Sequence, residues 1–150
     1  MDQNKAIDVL QDLIETCKDG QKGYLDAASH VKRPDLKTYF NEQGLERGRF
    51  AEELNAELIR LGKPDEKPSG SVTGALHRAW IDTKVGMGAG DKAILESVEA
   101  GEDSAKDAYQ KAVTGDLPEN IAQIVRRQAA SVQQAHDKVK SLRDAAKAAA

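Results

Sequence analysis

Four long segments of the chain carry apolar residues at every third or fourth position. They cover about residues 4–31, 34–61, 92–114 and 118–147. This spacing places the apolar side chains on one face of an α-helix, which must be buried against other elements of the fold. Four such helices in one chain of ordinary domain length predict an all-α four-helix bundle, with residues 1–150 forming a single domain.

Local signals mark several of the helix ends. Pro34 suits the first turn of the second helix because its ring presets the helical φ angle. Gly62 follows Leu61 as a stop signal, since glycine readily ends a helix. Asp91 is a residue type that often caps a helix start, so we expect it to cap the third long helix.

The connections between the helices are unequal in length. Lys32-Arg33 and the segment 115–118 are short enough for antiparallel hairpins, which need about 2–8 residues. In contrast, 29 residues from Gly62 to Gly90 separate the two pairs and include a short helical pattern at about 72–85. Such a connection can travel the ~40 Å length of a 27-residue helix. We therefore predict a ferritin-like bundle with one long crossover carrying a short extra helix. The alternative is an up-down bundle with that helix across one end.

Charge and composition exclude several classes of protein. The net charge is −3, which gives the chain no general attraction for nucleic acid or anionic lipid. No apolar run approaches the ~18 residues of a membrane span, and residues 1–20 do not resemble a signal peptide, so we expect a cytoplasmic protein with no membrane insertion. Cys17 is the only cysteine and falls in the apolar pattern, which predicts a small buried core residue and no disulfide.

Five polar residues fall within the apolar faces of the long helices, near one predicted height in the bundle: Gln21, Gln43, Arg47, Glu102 and Gln128. Ferritin-like bundles often hold two metal ions at this level, through inward Glu residues and Glu-x-x-His motifs. The polar layer predicted here has the wrong chemistry for two metals. Glutamine is a neutral, poor ligand, and arginine cannot lose its proton and repels cations.

This composition suggests a different use of the bundle centre. We hypothesise that Arg47 pairs with Glu102 and fills the space and charge that metal ions would occupy. Breaking a buried pair of this kind costs about 3–5 kcal/mol. In the equally weighted alternative, some of the five polar residues lie at the edges of the apolar faces and reach water.

Metal-ligating residue types are present, but not in the ferritin pattern. No Glu-x-x-His occurs anywhere in the chain. The alternative is a single weak site at Glu46, Glu102 and His136, which would hold iron or another divalent metal. We expect His30 and His77 at the surface or an interface. The glycine-rich segment 86–90 lacks the Lys-Ser/Thr of a phosphate loop and predicts a flexible turn. No cofactor is therefore expected in the leading hypothesis.

Short motifs spread over nearly the whole chain carry a family resemblance. They are Leu13-Ile14-Glu15-Thr16, Lys18-Asp19-Gly20, Gly23-Tyr24, Glu46-Arg47, Arg49-Phe50-Ala51, Gly70-Ser71-Val72, Gly74-Ala75-Leu76-His77-Arg78, Trp80, Glu99, Gly101-Glu102-Asp103 and Ala135-His136-Asp137. Together they resemble a bacterial four-helix-bundle family of unknown function that is placed in the ferritin-like superfamily. The resemblance implies the ferritin-like fold and no established activity.

Three classes of function follow from these observations. The leading hypothesis is a non-enzymatic ferritin-like bundle that acts through surface contacts or self-association, as a homodimer or a higher homo-oligomer. The alternative is a metal-binding, iron-type protein with a non-standard, degenerate ferritin-like site. A third class is a helical protein that presents a surface to an unknown protein partner or acts in membrane stress. The sequence identifies no such partner and no face that would bind it.

Overall fold

The computed structural model describes residues 3–63 and 90–149. They form four helices: α1 (Gln3–His30), α2 (Pro34–Arg60), α3 (Asp91–Val113) and α4 (Glu119–Ala149). The prediction of an all-α four-helix bundle is confirmed, and the helix ends lie within two residues of the expected positions. The short helix expected at 72–85 lies outside the described residues. None of the described helices is both long and apolar enough to cross a membrane.

Both ends of α2 follow the local signals. Arg33 is the N-cap, and Pro34 occupies the first turn. At the other end Gly62 has a φ of 83°, a conformation that glycine adopts without strain. The Gly62 N–H donates to the Ile59 carbonyl (2.8 Å) and the Lys63 N–H to the Leu58 carbonyl (3.1 Å). These bonds satisfy carbonyls left free at the helix end.

Asp91 does not cap α3, so that prediction is wrong. The N-cap is Gly90, and no side chain bonds there. The Asp91 carboxylate instead accepts hydrogen bonds from the backbone N–H groups of Lys32 (2.8 Å) and Arg33 (2.9 Å). Those two groups precede α2 and would otherwise lack helical partners, which makes them competing donors for the carboxylate. Asp91 thus ties the α1–α2 turn to the start of α3.

The order of the helices around the bundle is ferritin-like. α1 packs on α2 and α3, and α4 packs on α3 and α2, so α1 lies diagonally opposite α4, and α2 opposite α3. The Asp91 contact places the start of α3 at the end where α2 begins, so α2 and α3 run in the same direction. Lys63 and Gly90 therefore lie at opposite ends of the bundle, as the predicted crossover requires.

The apolar core is divided into two halves along the bundle axis. The first half contains buried residues from 6–17, 50–58, 105–117 and 121–132. The second contains buried residues from 24–31, 36–40 and 94–98, with Val139. Between the halves the buried side chains include Arg47 and Glu102. Charged side chains are therefore buried at the middle of the bundle, between the two apolar halves of the core.

Candidate functional site

A buried ion pair lies at the middle of the bundle. Arg47 donates from Nη1 to Glu102 Oε1 (2.8 Å) and from Nη2 to Glu102 Oε2 (2.6 Å). The side chains are only 2% and 3% exposed. Two parallel, charge-assisted bonds of this kind fix both the distance and the orientation of the partners. Because Arg47 is on α2 and Glu102 is on the diagonally opposite α3, the pair spans the central space of the bundle.

Two residues of α1 complete the surroundings of the guanidinium. The Arg47 guanidinium carbon lies 5.4 Å from the centre of the Tyr24 ring, within the range of a cation–π contact. A Cβ added at Gly20 would lie 3.1 Å from Arg47 Nη1. Gly20 interrupts the helical pattern of α1. Because glycine has no side chain, the guanidinium of Arg47 has room beside it.

The positive charge of Arg47 is permanent. Burial is the largest effect on Arg47 and opposes its charge, but the charge and hydrogen bonds of Glu102 outweigh it, so the pKa of Arg47 is raised above its ordinary value. The guanidinium therefore stays protonated throughout the accessible pH range. The bundle centre therefore contains a permanent positive charge that is bonded to both carboxylate oxygens of Glu102.

The three glutamines of the predicted layer differ from one another in burial and in their contacts. Gln21 and Gln43 are half-buried. The Gln21 side chain lies against Gly48, where an added Cβ would come within 2.7 Å of its amide nitrogen. Gln128 is fully buried in α4, between core residues Val125 and Val132 of the first half. The predicted layer is therefore spread over more than one level.

Gln128 belongs to a chain of hydrogen bonds that starts at Cys17. The Tyr109 hydroxyl donates to Gln128 Oε1 (2.7 Å), and Gln128 Nε2 donates to Glu53 Oε1 (2.8 Å) and to the Phe50 carbonyl (3.4 Å). Cys17 Sγ lies 2.9 Å from the Tyr109 oxygen. Since the single hydroxyl proton of Tyr109 is directed at Gln128, the thiol must be the donor to Tyr109. Burial raises the pKa of Cys17 to about 11, which keeps the thiol protonated.

This chain of bonds reaches the surface between α2 and α4. Glu53 forms an ion pair with Arg127, and Ser131 donates to Glu46. Beside these two contacts is an open cleft of about 540 Å³, which is lined by Glu46, Arg49, Phe50, Glu53, Arg127 and Ser131. The carboxylates of the cleft are thus engaged by side chains of the facing helix.

A second polar cluster lies between α3 and α4. One ligand atom from each of Glu99, Asp103 and His136 lies within 4.8 Å of the others. In the part of the chain that the structure describes, this is the one group of three such side chains close enough to share a metal ion. His136 Nε2 lies 2.6 Å from Asp103 Oδ1, and His136 Nδ1 lies 3.1 Å from Asp137 Oδ1.

The charge of His136 is set by opposing effects. Burial is the largest and disfavours the protonated ring, but the hydrogen bonds with Asp137 and Asp103 together exceed it, so the pKa of His136 is raised. Glu99 forms an ion pair with Arg143, whose Nε lies 3.0 Å from Glu99 Oε2. This cluster therefore combines three carboxylates with one imidazole and one guanidinium.

The structure does not bring together the metal set considered from the sequence. Glu46 accepts a hydrogen bond from Ser131, Glu102 pairs with Arg47, and His136 contacts Asp103. Of the three, only His136 belongs to the cluster between α3 and α4. The apolar pattern does not reveal Asp103, because this residue lies outside the apolar face of its helix. The four-residue spacing from Glu99 to Asp103, which places both on one side of α3, is the available signal.

The other two histidines have different surroundings. His30 is half-buried at the end of α1, where its Nδ1 lies 2.8 Å from the Asp26 carbonyl oxygen. His77 lies outside the described residues, as does most of the glycine-rich segment 86–90. His30 is not a member of the cluster between α3 and α4.

Comparison with known proteins places this architecture in a family. The model of a domain of unknown function, DUF2383, matches residues 5–115. The chain belongs to this family. A solved structure of a Dps1 mutant from Mycobacterium smegmatis superposes with a TM-score of 0.73 at 14% sequence identity, covering 94% of this chain and 96% of that one. The likeness confirms the ferritin-like fold of this DUF2383 member. No curated protein matches the chain.

Proposed function

We propose that this protein is a non-enzymatic ferritin-like bundle that acts through its surface, chiefly by self-association. The observation that supports this most is the ion pair between Arg47 and Glu102. A di-metal centre needs carboxylates and imidazoles that converge on an open central space. Here the guanidinium occupies that space, and both oxygens of the facing carboxylate accept its hydrogen bonds.

The energetics of the pair favour the same conclusion. A cation that entered the centre would have to displace a buried guanidinium from its carboxylate. An uncompensated charge in the interior costs several kcal/mol, and the approaching cation and Arg47 would repel each other. The helices thus have the ferritin-like arrangement, and the guanidinium of Arg47 supplies the positive charge at the bundle centre.

The outer face of α2 supports self-association. Leu45 and Ile59 are each 55% exposed, and Ala56 is exposed on the same side of the helix, with the charged residue Glu52 between them. The two large side chains are fourteen residues apart, which is about 21 Å along one face. Leu25 of α1 adds to this surface, because its side chain packs on Gly44, next to Leu45. In a symmetric dimer, these exposed apolar side chains can pack on the same surface of a second copy.

The test is the mass of the protein in solution. We expect light scattering coupled to size-exclusion chromatography to give a dimer or a higher oligomer, and the double variant Leu45→Gln/Ile59→Gln to give a monomer. Val113→Gln, which changes an exposed apolar residue at the end of α3, is the matched control and should keep the wild-type mass. A wild-type chain that is monomeric at tens of micromolar would rule out self-association.

A metal-binding role with a non-standard site is the second candidate function, and a specific observation favours it. Glu99, Asp103 and His136 supply three potential ligand atoms in one place. Metal analysis of the purified protein and an Fe(II) oxidation assay separate the two candidates. Stoichiometric iron that is lost in a folded Glu102→Ala variant would contradict the closed centre and with it the leading proposal.

A further inference from the structure

We infer that Glu99, Asp103 and His136 form a site for one divalent transition-metal ion between α3 and α4, separate from the closed centre of the bundle. The inference rests on the second candidate function and states where the ion binds. Two carboxylate oxygens and one imidazole nitrogen are ligands for borderline cations such as Zn²⁺, Mn²⁺ and Fe²⁺. Water would complete the coordination, because the three protein ligands leave at least one position open.

The ligand atoms need only small movements to bind an ion. They already lie within 4.8 Å of one another. An ion about 2.1 Å from each ligand would hold them about 3.5 Å apart, the edge of a tetrahedron. Glu99 and His136 have side chains only 11% and 8% exposed, whereas Asp103 is 56% exposed. Two ligands are therefore held by packing, and the third can rotate and gives the ion a route from solvent.

The scaffold of the site is rigid. Glu99 and Asp103 are four residues apart on α3, so they project from the same side of that helix. His136 faces them from α4, which packs directly on α3. Sites built on continuous helices hold their ligands more precisely than sites on loops.

Asp137 orients the imidazole as a metal site requires. Both ring nitrogens of His136 face carboxylate oxygens that can only accept, so Nδ1–H donates to Asp137 and Nε2–H donates to Asp103. An ion that replaces the Nε2 proton would find the Nε2 lone pair already directed toward Asp103, with the bond from Nδ1–H to Asp137 unchanged. A ligating histidine almost always donates its second ring N–H to a carboxylate or carbonyl group, which fixes the tautomer and the plane of the ring. Gln133 donates to the same carboxylate oxygen of Asp137 (3.0 Å) and restrains it. Asp137 is thus a positioning residue.

Arg143 competes with the ion for Glu99. Its Nε lies 3.0 Å from Glu99 Oε2, and its Nη2 lies 2.8 Å from Asp144 Oδ1. Because Asp144 is a second partner, the guanidinium can leave Glu99 without losing all of its ionic contacts. Its positive charge also opposes a cation at the cluster. Removal of this charge should therefore strengthen metal binding.

The experiment is a Zn²⁺ titration of the metal-free full chain by calorimetry, with a chelator as competitor. We expect one ion per chain in the wild type. Affinity should fall about 10-fold in Asp137→Asn, the lower end of the range for residues that orient a ligand, and about 100-fold or more in His136→Gln and Asp103→Asn, which remove a ligand itself. Arg143→Gln should bind more tightly than the wild type. Co²⁺ substitution should give the visible absorption of a site with nitrogen and oxygen ligands, and His136→Gln should abolish it.

Two matched controls separate specific ligation from general charge. Asp107→Asn removes one carboxylate a single turn further along α3, and Arg126→Gln removes one exposed guanidinium from α4. Both should bind Zn²⁺ as the wild type does. Equal weakening by Asp107→Asn and Asp103→Asn would overturn the inference, because the effect would then come from net charge.

The remaining outcomes distinguish this site from the candidate function on which it rests. Zn²⁺ that binds one to one, with unchanged affinity in His136→Gln and Asp103→Asn, would overturn the site and leave a metal-binding role in place. No binding at all would overturn both. Circular dichroism of each variant establishes that it is folded, and the exposed position of Asp103 makes Asp103→Asn the safest variant in that respect.

Discussion

The ion pair at the bundle centre and the cluster between α3 and α4 both combine acidic and basic side chains, but they differ in burial. At the centre, Arg47 and Glu102 are both almost fully buried and satisfy each other through two hydrogen bonds. Between α3 and α4, Glu99 and His136 are buried while Asp103 faces solvent. The first arrangement is complete without a ligand. The second has spare lone pairs and an accessible residue, which is why we assign metal binding only there.

The largest expected effect comes from breaking the central pair. Arg47→Met or Glu102→Gln leaves one buried charge without its partner, and we expect a loss of about 3–5 kcal/mol in the free energy of unfolding. The double variant Arg47→Met/Glu102→Leu removes both charges and should be much closer to the wild type. Urea unfolding of all three variants measures the difference. A double variant as unstable as the single ones would show that the coupling between the two charges is not the reason for the loss.

The stabilisation of the fold by Zn²⁺, a smaller effect, tests whether the bundle centre and the cluster between α3 and α4 are independent. Zn²⁺ at about one hundred times its dissociation constant should stabilise the folded wild type by about 2.7 kcal/mol. Asp103→Asn should lose this gain because it removes a ligand, whereas Glu102→Gln, although destabilised, should keep it. Thermal unfolding with and without Zn²⁺ gives both values. Loss of the Zn²⁺ effect in Glu102→Gln alone would place the ion at the centre instead.

Two glycine-to-alanine substitutions test the packing at the bundle centre, with expected changes of about 1 kcal/mol in the free energy of unfolding. Alanine is favoured over glycine in a helix interior by that amount. Gly101→Ala, at an exposed position of α3, should therefore be stabilising. Gly20→Ala should be destabilising, because the new Cβ would lie 3.1 Å from Arg47 Nη1, and the bonds to Glu102 prevent that nitrogen from moving.

The glycine comparison has its own internal control. In an Arg47→Met background the fixed guanidinium is gone, and Gly20→Ala should become neutral or stabilising. Chemical denaturation of the four combinations of these two changes measures the coupling. If Gly20→Ala costs the same in the Arg47→Met background as in the wild type, the guanidinium is not what requires the glycine.

The sequence predicts the parts of this molecule that depend on periodicity. The apolar spacing gives the four helices to within two residues, and the long separation of the two pairs gives the ferritin-like order. The contents of the centre also follow from pattern, because Arg47 and Glu102 interrupt otherwise apolar faces. Pattern alone does not decide whether they pair or reach water, since both fit the same helical angles.

The parts that escape prediction depend on how facing helices are aligned. The pattern predicts Gln128 level with Arg47, but Gln128 bonds to Glu53, six residues along α2, which is about 9 Å by helical rise. Asp103 joins His136 only when α3 and α4 are placed side by side. Asp91 fits the preferences for a helix cap, yet a contact 58 residues away in sequence, with Arg33, takes its carboxylate. Such contacts leave no periodic signal in one sequence.

The smallest effect at neutral pH concerns Cys17, which lies below the central pair in the first half of the core. Its pKa is raised from 9.0 to about 11 because burial disfavours the thiolate. The folded state therefore holds the thiol proton more tightly than the unfolded state. The stability that this provides is fully present below pH 9 and is lost as the pH rises from about 9 to 11.

Cys17→Ser isolates this contribution, because serine can still donate to Tyr109 and does not titrate in this range. The wild type should lose more stability than Cys17→Ser between about pH 8 and pH 10, as measured by urea unfolding. At neutral pH, iodoacetamide should label Cys17 only when urea is added, since the thiol is buried and protonated. Rapid labelling of the native protein would mean that solvent reaches the chain of bonds from Cys17 to Glu53, and that the core opens between α2 and α4 more readily than the closed centre implies.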